Sequence, residues 1–139
     1  MYLVDTNVLS EMRKQAKSDS GVRRFFADVV REEQGVYISV VTVGELRRGV
    51  ESIRHRGDER QATRLEHWLD EIILHYQDHI IEIDADIAQL WGRLRVPNPE
   101  NALDKLIAAT ALIHDLTIVT RNQKDFETTG VRVHNPFAK

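Results

Sequence analysis

Short apolar, β-branched segments alternate with longer helical patterns along the whole of this chain. Five segments have the length and composition of strands, namely residues 2–4, 36–40, 80–83, 117–120 and 131–133. Parallel strands need long crossover connections, and helices in those connections cover the faces of the sheet. The alternation therefore predicts an α/β fold in which a parallel central sheet of about five strands is flanked by helices.

Three of the segments between these strands place apolar residues at helical spacing. The apolar positions of the first two are Leu65, Leu69, Ile72, Ile73 and Tyr76, then Ile87, Leu90, Trp91 and Leu94. The third segment, residues 106–113, is apolar nearly all round and predicts a deeply buried helix. We expect both tryptophans, Trp68 and Trp91, to lie in the core rather than at an interface.

The length and composition fit one domain that spans residues 1–139. The chain has 139 residues, of which 42% are hydrophobic, and it contains no cysteine. The lack of cysteine excludes disulfides and thiolate metal sites and fits a reducing compartment. No apolar stretch is long enough to span a bilayer, and the N-terminus lacks the pattern of a signal peptide. We therefore expect a soluble, cytoplasmic protein without membrane contact.

The overall charge does not indicate a nucleic-acid-binding protein, because the net charge is −3 and the pI is about 6.1. The basic residues are nevertheless grouped along the chain. The groups are Arg13, Lys14 and Lys17, then Arg47, Arg48, Arg54, Arg56 and Arg60. A local basic patch can bind a phosphate backbone, although a solvated surface is the more common explanation for any single arginine.

Four carboxylates lie just beyond apolar runs or at the start of a helical pattern: Asp5, Glu45, Asp104 and Asp125. Ligands of open α/β sheets bind beyond the carboxyl ends of the strands, where at least two of these acids would lie. Two carboxylates about 4 Å apart repel each other by about 1 kcal/mol in water and about 4 kcal/mol near a protein surface. A divalent cation removes that repulsion, and an all-oxygen ligand set suits Mg²⁺ or Mn²⁺.

Helix capping is the alternative explanation for each acid taken singly. The sequence signals for caps are Thr42 to Glu45, Asn101 to Asp104, Asn122 to Asp125, and Asp5 before Thr6. Capping and metal binding are compatible, because a helix N-terminus stabilises a carboxylate. Four such acids from separate segments favour a shared cation site. The chain has no nucleophile elbow and no glycine-rich phosphate loop, so a metal-activated water is the better expectation.

Four motifs that contain these acids give the chain a resemblance to a known family. They are LVDTNVLSE at residues 3–11, ISVVTVGELRRG at 38–49, DKLIAATA at 104–111 and VTRNQKDF at 119–126, followed by NPF at 135–137. In this order the motifs resemble those of PIN-domain ribonucleases. The resemblance is closest to the VapC and FitB-type toxins of bacterial toxin–antitoxin pairs.

The resemblance implies a single PIN-like domain that forms homodimers, binds Mg²⁺ or Mn²⁺ and cleaves RNA to leave a 5′-phosphate and a 3′-hydroxyl. It places the catalytic and metal-binding acids on Asp5, Glu45, Asp104 and Asp125. The supporting polar positions fall on Thr6, Asn7, Thr120 and Asn122. An antitoxin protein is the implied partner. Candidate RNA contacts are Arg13, Lys14, Arg47, Arg48, Lys105 and Arg121, and Lys105 could instead pair with a neighbouring acid.

Two other functions stay open at this point. A non-catalytic RNA- or protein-binding module could keep the same fold and the same helix caps. A receiver-type phosphoacceptor domain also uses clustered carboxylates and Mg²⁺, but here the first strand is followed by one acid rather than two. Saturable binding of Mn²⁺ separates the enzyme from the binding module.

Overall fold

Five parallel strands form one sheet at the centre of the protein. The structure is a computed structural model that describes residues 1–139. The strands are β1 (Tyr2–Val4), β2 (Val36–Ser39), β3 (Ile80–Ile81), β4 (Thr117–Val119) and β5 (Val133–His134). Their order in the sheet is β3-β2-β1-β4-β5, and every neighbouring pair is parallel. The predicted α/β class and number of strands are confirmed. β1 has the predicted bounds, and the ends of the other four strands differ by one or two residues.

Six α-helices and two short 3₁₀ segments connect the strands. The helices are α1 (Thr6–Met12), α2 (Ser20–Arg31), α3 (Val40–His55), α4 (Glu59–His75), α5 (Ala85–Leu94) and α6 (Ala102–His114). The 3₁₀ segments are Gln15–Lys17 and Gln123–Thr129. None of the helices combines the length and the apolar character that crossing a membrane requires.

The two faces of the sheet bury two separate hydrophobic clusters. On β1, Val4 belongs to the cluster that packs against α1, α2, α3 and α4, whereas Leu3 belongs to the cluster around α6. On β4, Val119 belongs to the first of these clusters and Ile118 belongs to the second. This alternation follows from the two-residue period of a strand, which sends successive side chains to opposite faces. The sheet is therefore the middle layer of three.

The order of the strands places the start of α1 at a reversal point of the fold. The chain moves from β1 outward to β2 and β3, and then returns to the other side of β1 with β4 and β5. In open α/β sheets the crevice at such a reversal binds ligands at the carboxyl ends of the strands. Asp5 directly follows β1 and Thr120 directly follows β4, so both residues lie at this edge.

The predicted helix caps are partly confirmed. Asp5 is the N-cap of α1, and its side chain accepts a hydrogen bond from the Thr6 amide. The expected cap at Thr42 is wrong, because α3 begins directly after β2 and Ser39 caps it through the Val41 amide. Asn101 and Asn122 occupy N-cap positions, but neither side chain makes a capping hydrogen bond.

Thr42 lies inside α3 as a result, with 1% of its surface exposed, and its hydroxyl has no hydrogen-bond partner. Thr110 is its structural counterpart in α6, since it is also fully buried but its hydroxyl donates to the Leu106 carbonyl at 2.9 Å. The two buried threonines therefore differ in whether the hydroxyl is satisfied, which changes what its removal costs.

We expect Thr42→Val to raise the free energy of unfolding and Thr110→Val to lower it. A buried hydroxyl without a partner costs about 1–3 kcal/mol, whereas a typical hydrogen bond contributes about 0.5–1.5 kcal/mol. Urea denaturation of both variants beside the wild type measures the two changes. Equal destabilisation by the two substitutions would contradict the assignment of Thr42 as unsatisfied.

Candidate active site

Asp5 is the most buried acid of the site, with 6% of its surface exposed. Its Oδ1 accepts from the Thr6 amide at 2.9 Å. Its Oδ2 accepts from the Thr120 hydroxyl at 2.8 Å and from Asn7 Nδ2 at 3.3 Å. Burial raises the pKa of Asp5, the hydrogen bonds from Thr120 and Thr6 lower it, and the charge of Asp125 raises it further, with a net increase. Only neutral donors therefore hold this carboxylate.

Thr120 and Asn7 join the two halves of the sheet around Asp5. The Thr120 hydroxyl also accepts from Asn7 Nδ2 and from the Asn122 backbone amide, each at 3.1 Å. The Asn7 side-chain oxygen accepts from the Arg121 amide at 3.0 Å. Three of the four predicted supporting residues therefore act through their side chains. Asn122 contributes its backbone amide, and the residue itself is exposed.

Glu45 reaches the same site from the second turn of α3. Its Oε1 accepts from the Thr6 hydroxyl at 3.1 Å, so Thr6 bridges Asp5 and Glu45 through its amide and its side chain. The pKa of Glu45 is raised, first by burial and then by the charge of Asp5, against opposing effects of Thr6 and Arg48. α3 starts at the carboxyl end of β2, and this position directs Glu45 to the edge where β1 ends.

Asp104 and Asp125 complete the acidic group from the far side of the sheet. Asp104 lies in the first turn of α6, and Asp125 lies in the 3₁₀ segment after β4. The pKa of Asp104 is raised to about 6, first by burial and then by the charges of Asp125, Asp5 and Glu45, in that order. The structure thus brings all four predicted acids into one electrostatically coupled group.

The donor set of this group fits a hard divalent cation. All four side chains offer carboxylate oxygens, which Mg²⁺ and Mn²⁺ prefer. No lysine or arginine is among the groups that shift the pKa of Asp104, and Arg48 is the one cation that lowers that of Glu45. The structure has no group of three acidic or histidine side chains that lie close enough together to coordinate one metal ion. Repulsion among the carboxylates favours this wider spacing.

Some of the predicted RNA-contacting side chains are exposed and free of ion pairs, and others pair with glutamates. Arg13, Arg48 and Arg121 are exposed, and the guanidinium of Arg121 lies 4.5 Å from the centre of the Phe137 ring. Lys14 is also exposed but pairs with Glu11 at 3.0 Å. Arg47 is engaged between α3 and α4, where it contacts carboxylate oxygens of Glu66 at 2.6 Å and Glu51 at 3.4 Å.

Neither predicted role of Lys105, an RNA contact or an ion pair with a neighbouring acid, agrees with its position in the structure. The side chain is buried, with 3% of the residue exposed, and its ammonium group donates to the Asn98 carbonyl. It therefore ties the segment before α6 to that helix and does not face solvent. Sequence spacing identified the position directly after Asp104, but the direction of the side chain depends on how α6 packs.

The fold and site define a class of α/β proteins in which an acidic group lies at the carboxyl edge of a parallel sheet. Residues 2–131 match the PIN domain family. The chain therefore belongs to the PIN-domain family.

Individual relatives agree with this assignment. The chain is 32% identical to the toxin FitB of Neisseria gonorrhoeae, with 99% of each chain covered. A chain in the crystal structure of FitAcB from that organism superposes with a TM-score of 0.83, 31% identity and 98% coverage of both.

Two further proteins widen the comparison. The VapC ribonuclease Y4jK of Sinorhizobium fredii is 30% identical, with 99% of this chain and 98% of Y4jK covered. A chain of a toxin–antitoxin complex from Klebsiella pneumoniae is 26% identical, with a TM-score of 0.63 and full coverage of both chains. These likenesses confirm the resemblance to VapC and FitB-type proteins.

We expect the Asp104 carboxyl to titrate with a pKa of about 6 in the metal-free protein, which ¹³C NMR of the side chain measures. Asp125→Asn should lower this pKa because the charge of Asp125 contributes the largest repulsion. Glu127→Gln, on the exposed side of the same 3₁₀ segment, is the matched control and should leave it unchanged.

The raised pKa of Asp104 also determines whether its contribution to the free energy of unfolding rises or falls with pH. An unfolded aspartate titrates near a pKa of about 3.9, so the folded state binds more protons than the unfolded state between that pH and about 6. The contribution of Asp104 to the free energy of unfolding therefore falls as the pH rises through this window. A stability profile that is the same in Asp104→Asn and the wild type would contradict this.

Proposed function

We propose that this chain is a metal-dependent endoribonuclease and acts as the toxin of a toxin–antitoxin pair. The observation that carries the proposal is the coupled group of Asp5, Glu45, Asp104 and Asp125 at the carboxyl edge of the sheet. Membership of the PIN-domain family and likeness to a protein named a VapC ribonuclease support the same reaction class. Mg²⁺ is the proposed cofactor, with Mn²⁺ as a substitute.

The protein's own groups fix the position of two of the acids, Asp5 and Glu45, before any substrate arrives. Thr6, Asn7 and Thr120 hold Asp5 by three hydrogen bonds, and the Thr6 hydroxyl holds Glu45. A bound Mg²⁺ or Mn²⁺ would neutralise the carboxylates, polarise a phosphate oxygen and lower the pKa of a water molecule. Fixing two of the four carboxylates in advance lowers the cost of assembling such a site.

Asp104 is the proposed proton acceptor among the four acids. Burial and the neighbouring acids raise its pKa to about 6 in the metal-free protein, which makes it more basic than an ordinary aspartate. In the proposed reaction a carboxylate oxygen of Asp104 takes a proton from the attacking water. The new P–O bond forms in line with the bond that breaks, and the departing ribose oxygen takes up a proton.

An antitoxin protein is the proposed partner that controls this activity. The Klebsiella pneumoniae neighbour is described as a toxin–antitoxin complex, and the FitB relative is named a toxin. The surplus of negative charge at the site gives such a partner a direct means of inhibition, since an inserted arginine would pair with the carboxylates and block access. We further propose a homodimer that works in the cytoplasm, where RNA substrates are available.

We expect Asp5→Asn and Asp104→Ala each to reduce metal-dependent RNA cleavage by at least about 100-fold while the fold is retained. Either change removes a negative ligand from the site. Asp86→Asn, an exposed acid in the first turn of α5, is the matched control and should leave cleavage unchanged. Sequencing of RNA ends and calorimetric titration with Mn²⁺ measure cleavage and metal binding separately.

The combination of readouts distinguishes the enzyme from a binding module. The enzyme predicts a saturable Mn²⁺ site that weakens in Asp104→Ala together with the loss of new RNA ends. Unchanged cleavage by folded Asp5→Asn would refute the role of that acid. RNA binding without a saturable Mn²⁺ site and without cleavage would instead support the non-catalytic module.

A further inference from the structure

A basic groove lies between the end of α1 and the exposed side of α4, away from the four acids. It has a volume of about 510 Å³, and the side chains that matter for its chemistry are Arg13, Lys14, Gln15, Gln61, Arg64 and Trp68. On α4, Gln61, Arg64 and Trp68 are separated by three and four residues and so share one helix face. Leu65 and Leu69 lie on the core side of the same helix.

The charge of this groove is opposite in sign to that of the whole protein. Three cationic side chains and one acid, Glu71, line it, whereas the chain carries a net charge of −3. Arg13 and Arg64 have no carboxylate within ion-pair distance, in contrast to Arg47 and Arg54, which are engaged by glutamates between α3 and α4. Unpaired guanidinium groups in a concave surface suit a phosphate-bearing ligand.

Trp68 gives the groove an aromatic surface that the other tryptophan does not offer. Trp91 is already engaged, since its indole N–H donates to the Ala102 carbonyl at 2.8 Å and the Arg95 guanidinium lies 4.7 Å from the ring centre. Trp68 makes no side-chain hydrogen bond and has no cation over its ring, although part of it packs against the core. A partly exposed indole beside cations can stack on an unpaired base.

Helix α1 connects the groove to the acidic site. Asp5 caps the first turn of α1, and Arg13 directly follows its last turn, so a helix of seven residues separates them. At 1.5 Å per residue this helix is about 10 Å long. A strand of RNA that occupies the groove is therefore within reach of the carboxylates along the surface of a single helix.

We propose that the groove binds an unpaired nucleotide of single-stranded RNA, with its base stacked on Trp68 and neighbouring phosphates on Arg13 and Arg64. Gln15 and Gln61 supply amide groups that can hydrogen-bond to base edges. An unpaired nucleotide is required because the base must expose its face to stack on the indole. The inference rests on the proposed function, since it assigns a substrate class to the same enzyme.

Tryptophan fluorescence tests the groove because the chain has only two tryptophans. Trp91→Phe leaves Trp68 as the sole reporter, and Trp68→Phe leaves Trp91. In buffer with EDTA, which prevents metal-dependent cleavage, we expect a short oligouridylate to quench Trp68 saturably and to leave Trp91 unchanged. Quenching of Trp91 alone would overturn the assignment.

Affinity measurements separate stacking from charge. Trp68→Ala should weaken oligouridylate binding roughly 5- to 150-fold, the range expected for loss of one stacked base. Arg64→Ala should reduce the slope of log affinity against log salt by about one unit. Arg132→Ala removes an exposed arginine that pairs with Asp115 just before β4, and as the matched control it should change neither quantity. Circular dichroism confirms that each variant is folded.

Three competing outcomes would overturn the inference. Equal binding of a duplex of the same length would exclude base stacking. Stronger quenching of Trp68 by polyglutamate than by oligouridylate would assign the groove to an acidic protein partner. Unchanged oligouridylate affinity in Trp68→Ala would remove the aromatic contact. Because these measurements need no cleavage, a failure of metal-dependent hydrolysis with groove binding intact would count against the proposed function alone.

Discussion

The arrangement of the site depends on a buried carboxylate that neutral donors hold without neutralising it. Asp5 lies between β1 and α1, and its hydrogen bonds come from a backbone amide, a hydroxyl and a carboxamide. A lysine or arginine in the same place would pair with Asp5 and neutralise its charge. The donors that are present instead fix the direction of the carboxylate and leave its charge available to a cation.

The topology of the sheet explains how distant residues meet at this point. Thr120 lies 115 positions after Asp5 in the sequence, yet the two side chains are hydrogen-bonded, because β4 is the immediate neighbour of β1. On the other side of β1, β2 leads into α3 and brings Glu45 to the Thr6 hydroxyl. A consecutive strand order would separate β1 from β4, and the acidic group could not assemble.

The features that could be predicted from the sequence are those with a local signal. The strands and the buried helix α6 follow from apolar periodicity, and Asp5 is recognisable as a residue that ends a strand and caps a helix. Features that depend on packing were missed. Ser39 rather than Thr42 caps α3 because the strand leads into the helix without a loop, and that junction leaves no sequence signal. Lys105 follows an acid in the sequence but is buried against the Asn98 carbonyl.

The arginines show why net charge alone gave little information about function. Arg47 and Arg54 form a network with Glu51, Glu59 and Glu66 that ties α3 to α4, so their positive charge is used within the fold.

Arg13 and Arg64 remain unpaired although the chain carries 22 acidic residues. None of the four site acids forms an ion pair, and Arg48 is the one cation among the groups that shift the pKa values of Asp5, Glu45 and Asp104. Helix α1 keeps these two sets of charges apart. Pairing them directly would relieve the repulsion among the acids, and it would also remove the separate positive and negative surfaces that a phosphodiester and a metal ion require. The separation is therefore the physical condition for the function proposed here.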